Sequence, residues 1–222
     1  TGKDRKDVLE RCRFTDIAWA PDASGFYYSK YPALGSVPQD QEEFWQKLYF
    51  HKLGEPQAKD RLVFGYTDNP ECGAGASVTN DGRWLIVNGW KGTAPENEVY
   101  VQRLGSAGAT VEPLFTGFDA SWHLVESLGD RLLFVTDKDA PRKRVVVVDM
   151  AGNRQPVTLV PETGDVLSSA TLANGRLFLE YMHNAHDRLF EYGTDGQQIR
   201  EVALPTLGSI GGLSGQPHDA DL

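Results

Sequence analysis

The 222 residues carry 22 basic and 31 acidic side chains, and the resulting net charge of -9 repels phosphate backbones and anionic lipid surfaces, so neither nucleic acid nor a membrane is an expected partner. Ten Phe, eight Tyr and five Trp supply enough large side chains to build a sizeable core without cross-links. Two cysteines, Cys12 and Cys72, are too few for a disulfide framework and match no zinc spacing, so both are expected to be free, with no metal or other cofactor.

Period-two alternation and turn punctuation predict a first group of strands near Phe14 to Trp19, Gly25 to Tyr31, Gln46 to Leu53 and Arg61 to Tyr66. Between its second and third strands lies an insertion, Pro32 to Glu43, polar and holding Gly and two Pro, which is expected to be a mobile surface loop. A second group runs from Ala76 to Phe118, with Asn80-Asp81-Gly82 as its first hairpin. A third runs from Ser121 to Val160 and a fourth from Val166 to Leu204. Each opens its second strand on a polar turn and a dense apolar run: Gly25-Phe26-Tyr27-Tyr28, then Gly82-Arg83-Trp84-Leu85-Ile86-Val87, Asp130-Arg131-Leu132-Leu133-Phe134-Val135 and Gly175-Arg176-Leu177-Phe178-Leu179.

Repetition at about 40 to 50 residues is the signature of an all-β propeller of four-stranded antiparallel blades. The expected blades cover residues 14–67, 75–118, 120–161 and 165–205. Residues 7–12 and 209–214 read as strands of truncated neighbouring blades, an outermost strand at one end and an innermost strand at the other. Because a propeller protects its strand edges only by closing the ring, about four blades cut in mid-blade imply an arc of a larger one.

No stretch of the chain carries a complete catalytic motif. Gly212-Leu213-Ser214-Gly215-Gln216 and Gly75-Ala76-Ser77-Val78-Thr79 both lack the last glycine of a nucleophile elbow, and neither opens a helix. His183 and His186 stand at i and i+3 on a strand connection, which suits hydrogen bonding in a loop rather than zinc. Asp137, Asp139, Asp149, Asp219 and Asp221 read as solvated turn residues, and Arg142-Lys143-Arg144 as an exposed strand edge. Gly73-Ala74-Gly75 and Gly208 to Gly215 match no phosphate loop and are expected where innermost strands converge closely. No stretch reaches the ~20 apolar residues of a membrane helix. The first residues show neither an initiator Met nor an apolar signal core, so any targeting segment is expected to have been removed or to lie outside the chain. A soluble protein of cytoplasm or periplasm is the expectation.

The stretch Asp7-Val8-Leu9-Glu10-Arg11-Cys12-Arg13-Phe14-Thr15-Asp16-Ile17-Ala18-Trp19 resembles the propeller of the prolyl oligopeptidase (prolyl endopeptidase) family of serine peptidases. The likeness continues through Lys47-Leu48-Tyr49-Phe50-His51-Lys52-Leu53-Gly54, Lys91-Gly92-Thr93, Thr136-Asp137-Lys138-Asp139-Ala140-Pro141-Arg142 and Leu204-Pro205-Thr206-Leu207-Gly208-Ser209, in order along the chain. The resemblance implies a seven-bladed ring seated on an α/β-hydrolase domain that supplies a Ser-Asp-His triad, so no catalytic residue is expected here. It further implies that the propeller gates access for short proline-containing peptides, cleaved after proline, and lines the pocket for the residue two before that proline. Phe14 falls at the family's aromatic pocket wall; a plain core Phe at the start of an inner strand is the competing reading of the residue itself. Thr93 stands where relatives can have Cys and Gly73 where some have Met, both losses of apolar contact; Trp90, beside that loop, reads either as compensating for them or as propeller packing. A stand-alone propeller scaffold for protein partners, or the propeller of a related oligopeptidase or dipeptidyl peptidase, remain the alternatives. The Trp-Asp and Gly-His signatures of scaffold repeats do not occur.

Overall fold

The computed structural model describes residues 8–215, which form four sheets, each a four-stranded antiparallel meander, with no α-helix among the described residues. The first sheet is β1 (Ala18–Trp19), β2 (Gly25–Lys30), β3 (Lys47–Lys52) and β4 (Arg61–Phe64). The second is β5 (Cys72–Val78), β6 (Trp84–Lys91), β7 (Asn97–Arg103) and β8 (Glu112–Phe115). The third is β9 (Trp122–Leu128), β10 (Arg131–Thr136), β11 (Arg144–Asp149) and β12 (Pro156–Val160). The fourth is β13 (Val166–Ala173), β14 (Arg176–His183), β15 (His186–Gly193) and β16 (Gln198–Val202). In every sheet the spatial order is the chain order, as short hairpins dictate.

The turns explain the registers. Asn174 and Gly175 both have positive φ (48° and 64°), the two-residue turn whose twist matches the flanking strands, and it closes the Ala173↔Arg176 pair. In the second sheet Asp81 Oδ1 accepts from Arg83 N (3.1 Å) and from Thr79 Oγ1 (2.7 Å), while Gly82 turns the chain at φ 69°.

The chain divides into two compact units, residues 1–119 and 120–222. In the first, the first two sheets bury Ala18, Tyr27 and Leu48 with Ala74, Leu85 and Val87, flanked by Phe50, Phe64 and Tyr100. In the second, Leu133, Val135, Val145 and Val160 pack with Leu167, Leu177, Leu179 and Tyr181. β1 is much shorter than the strand expected over 14–19: Phe14 lies in the left-handed region (φ 55°), and Ser29 N–H of β2 donates to the Thr15 hydroxyl (2.7 Å) in place of a ladder carbonyl. Residues 8–12 and 209–214 carry no strand; Asp7 lies outside the described residues. Ile210 N instead donates to Asp187 Oδ2 (2.7 Å), tying that terminal segment to β15 by a side chain. The insertion 32–43 contains a single 3-10 turn, Gln39–Gln41, and Arg11 holds its base by donating to the carbonyls of Pro32 (3.0 Å) and Glu42.

Candidate functional site

A largely apolar concavity of the first unit holds about 530 Å³ and is bounded by three stretches of chain. One is the segment ahead of β1, which brings Phe14; the second is the end of the insertion, which brings Phe44 and Trp45; the third is the pair β5 and β6, which brings Gly73, Trp90 and the following turn with Thr93. All four residues expected to contact substrate, Phe14, Gly73, Trp90 and Thr93, therefore line one pocket. Tyr31, Phe44 and Trp45 are wall residues that sequence reasoning missed, although an adjacent aromatic pair closing a polar insertion was the available signal.

Phe14 is not a core residue: it is 73% exposed, with φ 55°. A bulky side chain in left-handed backbone costs about 1 kcal/mol or more, and here it buries little in return. The conformation is held from outside. Gln46, 4% exposed, donates its side-chain amide to the carbonyls of Arg13 (3.0 Å) and Phe14 (3.4 Å), and the Arg13 guanidinium lies 4.7 Å from the Phe14 ring centre. Trp45, also left-handed at φ 63°, is fixed by its own N–H to Pro70 O (2.9 Å) and by its indole N–H to Gln41 Oε1 (3.2 Å).

Gly73 and Trp90 are directly opposed cross-strand partners. A Cβ on Gly73 would stand 2.7 Å from the indole, and one on Gly75 3.2 Å, so Trp90 lies flat across both glycines. The glycines thus serve to seat an indole, rather than to let neighbouring backbones converge as their composition suggested. Side-chain surface absent at Gly73 is returned by the ring that covers it. Thr93 sits on an exposed turn where Gly92 N–H donates to Glu71 O (3.2 Å). Burial, then the Glu43 carboxylate, pushes the Tyr31 phenol above its ordinary pKa, so it stays neutral.

This chain matches the model of the prolyl oligopeptidase N-terminal beta-propeller domain over residues 1–222. It belongs to the prolyl oligopeptidase propeller family. It is 34% identical to the prolyl endopeptidase of Elizabethkingia meningoseptica, over 100% of this chain and 31% of that protein, and 28% identical to prolyl oligopeptidase A of Galerina marginata, over 91% and 29%. A solved prolyl endopeptidase superposes with a TM-score of 0.88 at 35% identity, covering 97% of this chain and 31% of that one. Prolyl oligopeptidase B of Galerina marginata, solved with a 25-residue macrocyclization substrate, shares the fold with a TM-score of 0.87 at 23% identity. The chain spans about a third of the length of these relatives (31% and 29%).

Elsewhere the carboxylates and histidines take structural work. Asp137 accepts from Ser121 N and Oγ (2.7 Å each), closing β9 onto the end of β10. His183 and His186 bracket a tight hairpin, with His183 Nδ1 2.8 Å from Asp165 Oδ1. Among the described residues no three His, Cys, Asp or Glu side chains converge as a metal site, and Cys12 and Cys72 are free. Asp219 and Asp221 lie outside the described residues. No helix of the described residues is long and apolar enough to cross a membrane.

Proposed function

We propose that this propeller is the gating and pocket-lining part of a prolyl oligopeptidase that hydrolyses short peptides on the carboxyl side of proline, with the Ser-Asp-His triad supplied by an α/β-hydrolase domain. The observation that carries this reading is the aromatic pocket around an exposed, backbone-strained Phe14, since strain maintained at the surface is a mark of a functional site. Phe14, Trp90 and Trp45 line the place for an apolar side chain two residues before the scissile proline, with Gly73 seating Trp90 and Thr93 on the turn beside it. Peptide binding there is dominated by burial of apolar area, so the pocket acts on affinity rather than on bond cleavage.

The test is a pair of fluorogenic proline peptides on the full-length peptidase, one long enough to fill this pocket and one too short. Phe14→Ala should raise KM for the long peptide by about tenfold, the loss of roughly 1.4 kcal/mol of aromatic contact, and leave kcat and the short peptide unchanged. Equal behaviour of the two peptides would refute the pocket assignment. Hydrolysis by residues 1–222 alone would refute the division of labour.

A further inference from the structure

The segment that carries Phe14 reaches the pocket without strand pairing. Residues 8–17 contain no strand, and Arg11 and Phe14 both have positive φ (61° and 55°), so the main chain kinks twice within four residues. Downstream, Gln46 holds the carbonyls of Arg13 and Phe14. In the middle, Tyr31 N–H donates to Arg11 O (3.0 Å).

Upstream the anchor is Gln57, in the 3-10 turn Gln57–Lys59 between β3 and β4. Its side-chain oxygen accepts from Glu10 N (3.1 Å) and its amide nitrogen donates to Glu10 O (3.0 Å), so one side chain satisfies both backbone groups of a residue, as a neighbouring strand would. The orientation of that amide is dictated from behind. His51 Nδ1 lies 2.8 Å from Asp60 Oδ1, and Tyr28 O–H donates to Asp60 Oδ2 (2.6 Å). Tyr28 has one hydroxyl proton and gives it to Asp60, so toward Gln57, whose amide nitrogen stands 2.9 Å away, it accepts. The nitrogen of Gln57 is thereby turned inward, leaving its oxygen for Glu10 N. Tyr28 is 1% exposed and the Asp60 and His51 side chains are nearly as enclosed, so the bonds of Asp60 to Tyr28 and His51 are shielded from water.

We infer that Gln57 is a positioning residue for the peptide pocket: the chain His51, Asp60, Tyr28, Gln57 fixes Glu10, and through the kinked segment sets where Phe14 stands. The inference rests on the pocket reading given above.

In the full-length peptidase, Gln57→Leu removes the bonds to Glu10 N, Glu10 O and Tyr28 together with the long contact to Cys12 Sγ (4.0 Å), and Gln57→Glu keeps the acceptor for Glu10 N while losing the amide donors. Each should raise KM for the pocket-filling peptide about 3- to 10-fold, the size expected for one or two lost hydrogen bonds, with kcat and the short peptide unchanged. Tyr28→Phe should give a smaller change of the same pattern. Equal effects on both peptides, no effect on either, or failure of both Gln57 variants to fold would overturn the proposal and leave Gln57 a structural support. If Phe14→Ala changes the long peptide while the Gln57 variants do not, only this inference fails. If Phe14→Ala is itself silent, the pocket reading fails first.

Discussion

In the second unit, Leu133, Leu167, Leu177 and Leu179 are fully buried between regular sheets; in the first, two sheets of the same topology carry Phe14, Trp45 and Trp90 on their surface. The second unit gets its order from ladders and an aliphatic core. Around its pocket the first unit gets order from side chains that grip backbone: Gln46 on Arg13 and Phe14, Gln57 on Glu10, Arg11 on Pro32 and Glu42. Sheet hydrogen bonds fix a strand but also hide it, whereas a side-chain clamp fixes a segment and leaves its aromatic free to meet a ligand.

The sharpest way to break this contrast is to exchange the two kinds of residue under mutation. Leu177→Ala should lower unfolding free energy by about 2 to 5 kcal/mol, measured by denaturant titration, because the transfer loss is joined by a cavity. Phe14→Ala should stay within about 0.5 kcal/mol of wild type in the same titration, since that side chain buries little. If the two variants destabilise equally, the pocket is core after all.

Next in size is Gly73→Val, which sets a Cβ where the Trp90 indole lies 2.7 Å away. Over-packing of this kind costs about 1 to 3 kcal/mol, and since Trp90 is only half-buried the strain is relieved by swinging the ring outward. The expected signature is a red-shifted tryptophan emission together with a raised KM for the long peptide. A destabilised protein with unchanged peptide affinity would show that Trp90 serves packing alone.

The contrast also explains what could be seen in the sequence. Blade-scale repetition and turns such as Asn80-Asp81-Gly82 are local signals, and they foretold four sheets of four strands. Family likeness marked Phe14, Gly73 and Thr93, and its place beside Thr93 marked Trp90, because no spacing rule joins residues 14, 73, 90 and 93. Alternation in Phe14 to Trp19 suggested a longer strand, and nothing in those residues announces the positive φ that Gln46 imposes from 32 positions away. Phe44 and Trp45 are marked in the sequence only as an aromatic pair closing the insertion; that they and Tyr31 face the pocket depends on Arg11 and Pro70, which are distant along the chain.

The smallest predicted effect concerns buried carboxylates, where the units again differ. In the first unit Glu98 accepts from Tyr66 O–H (2.8 Å), Tyr100 O–H (2.7 Å) and Gly117 N–H (2.6 Å), so both of its oxygens have donors. In the second, Glu180 receives Ser169 Oγ (3.0 Å) but also faces Asp187, and burial first, then that second carboxylate, raises its pKa. A carboxyl whose folded pKa lies above its unfolded value near 4.3 confers stability fully below the unfolded value and loses it as pH rises through the folded one. Wild type at pH 7 therefore carries the penalty of an ionised Glu180. Glu180→Gln removes that charge and offers an N–H toward Asp187, so it should be slightly more stable than wild type at pH 7. The gain should shrink as pH falls through the raised pKa and vanish below about 4, read as paired unfolding curves across pH. A gain independent of pH would mean that packing rather than ionisation sets the difference, and that the second unit manages its buried acids as well as the first.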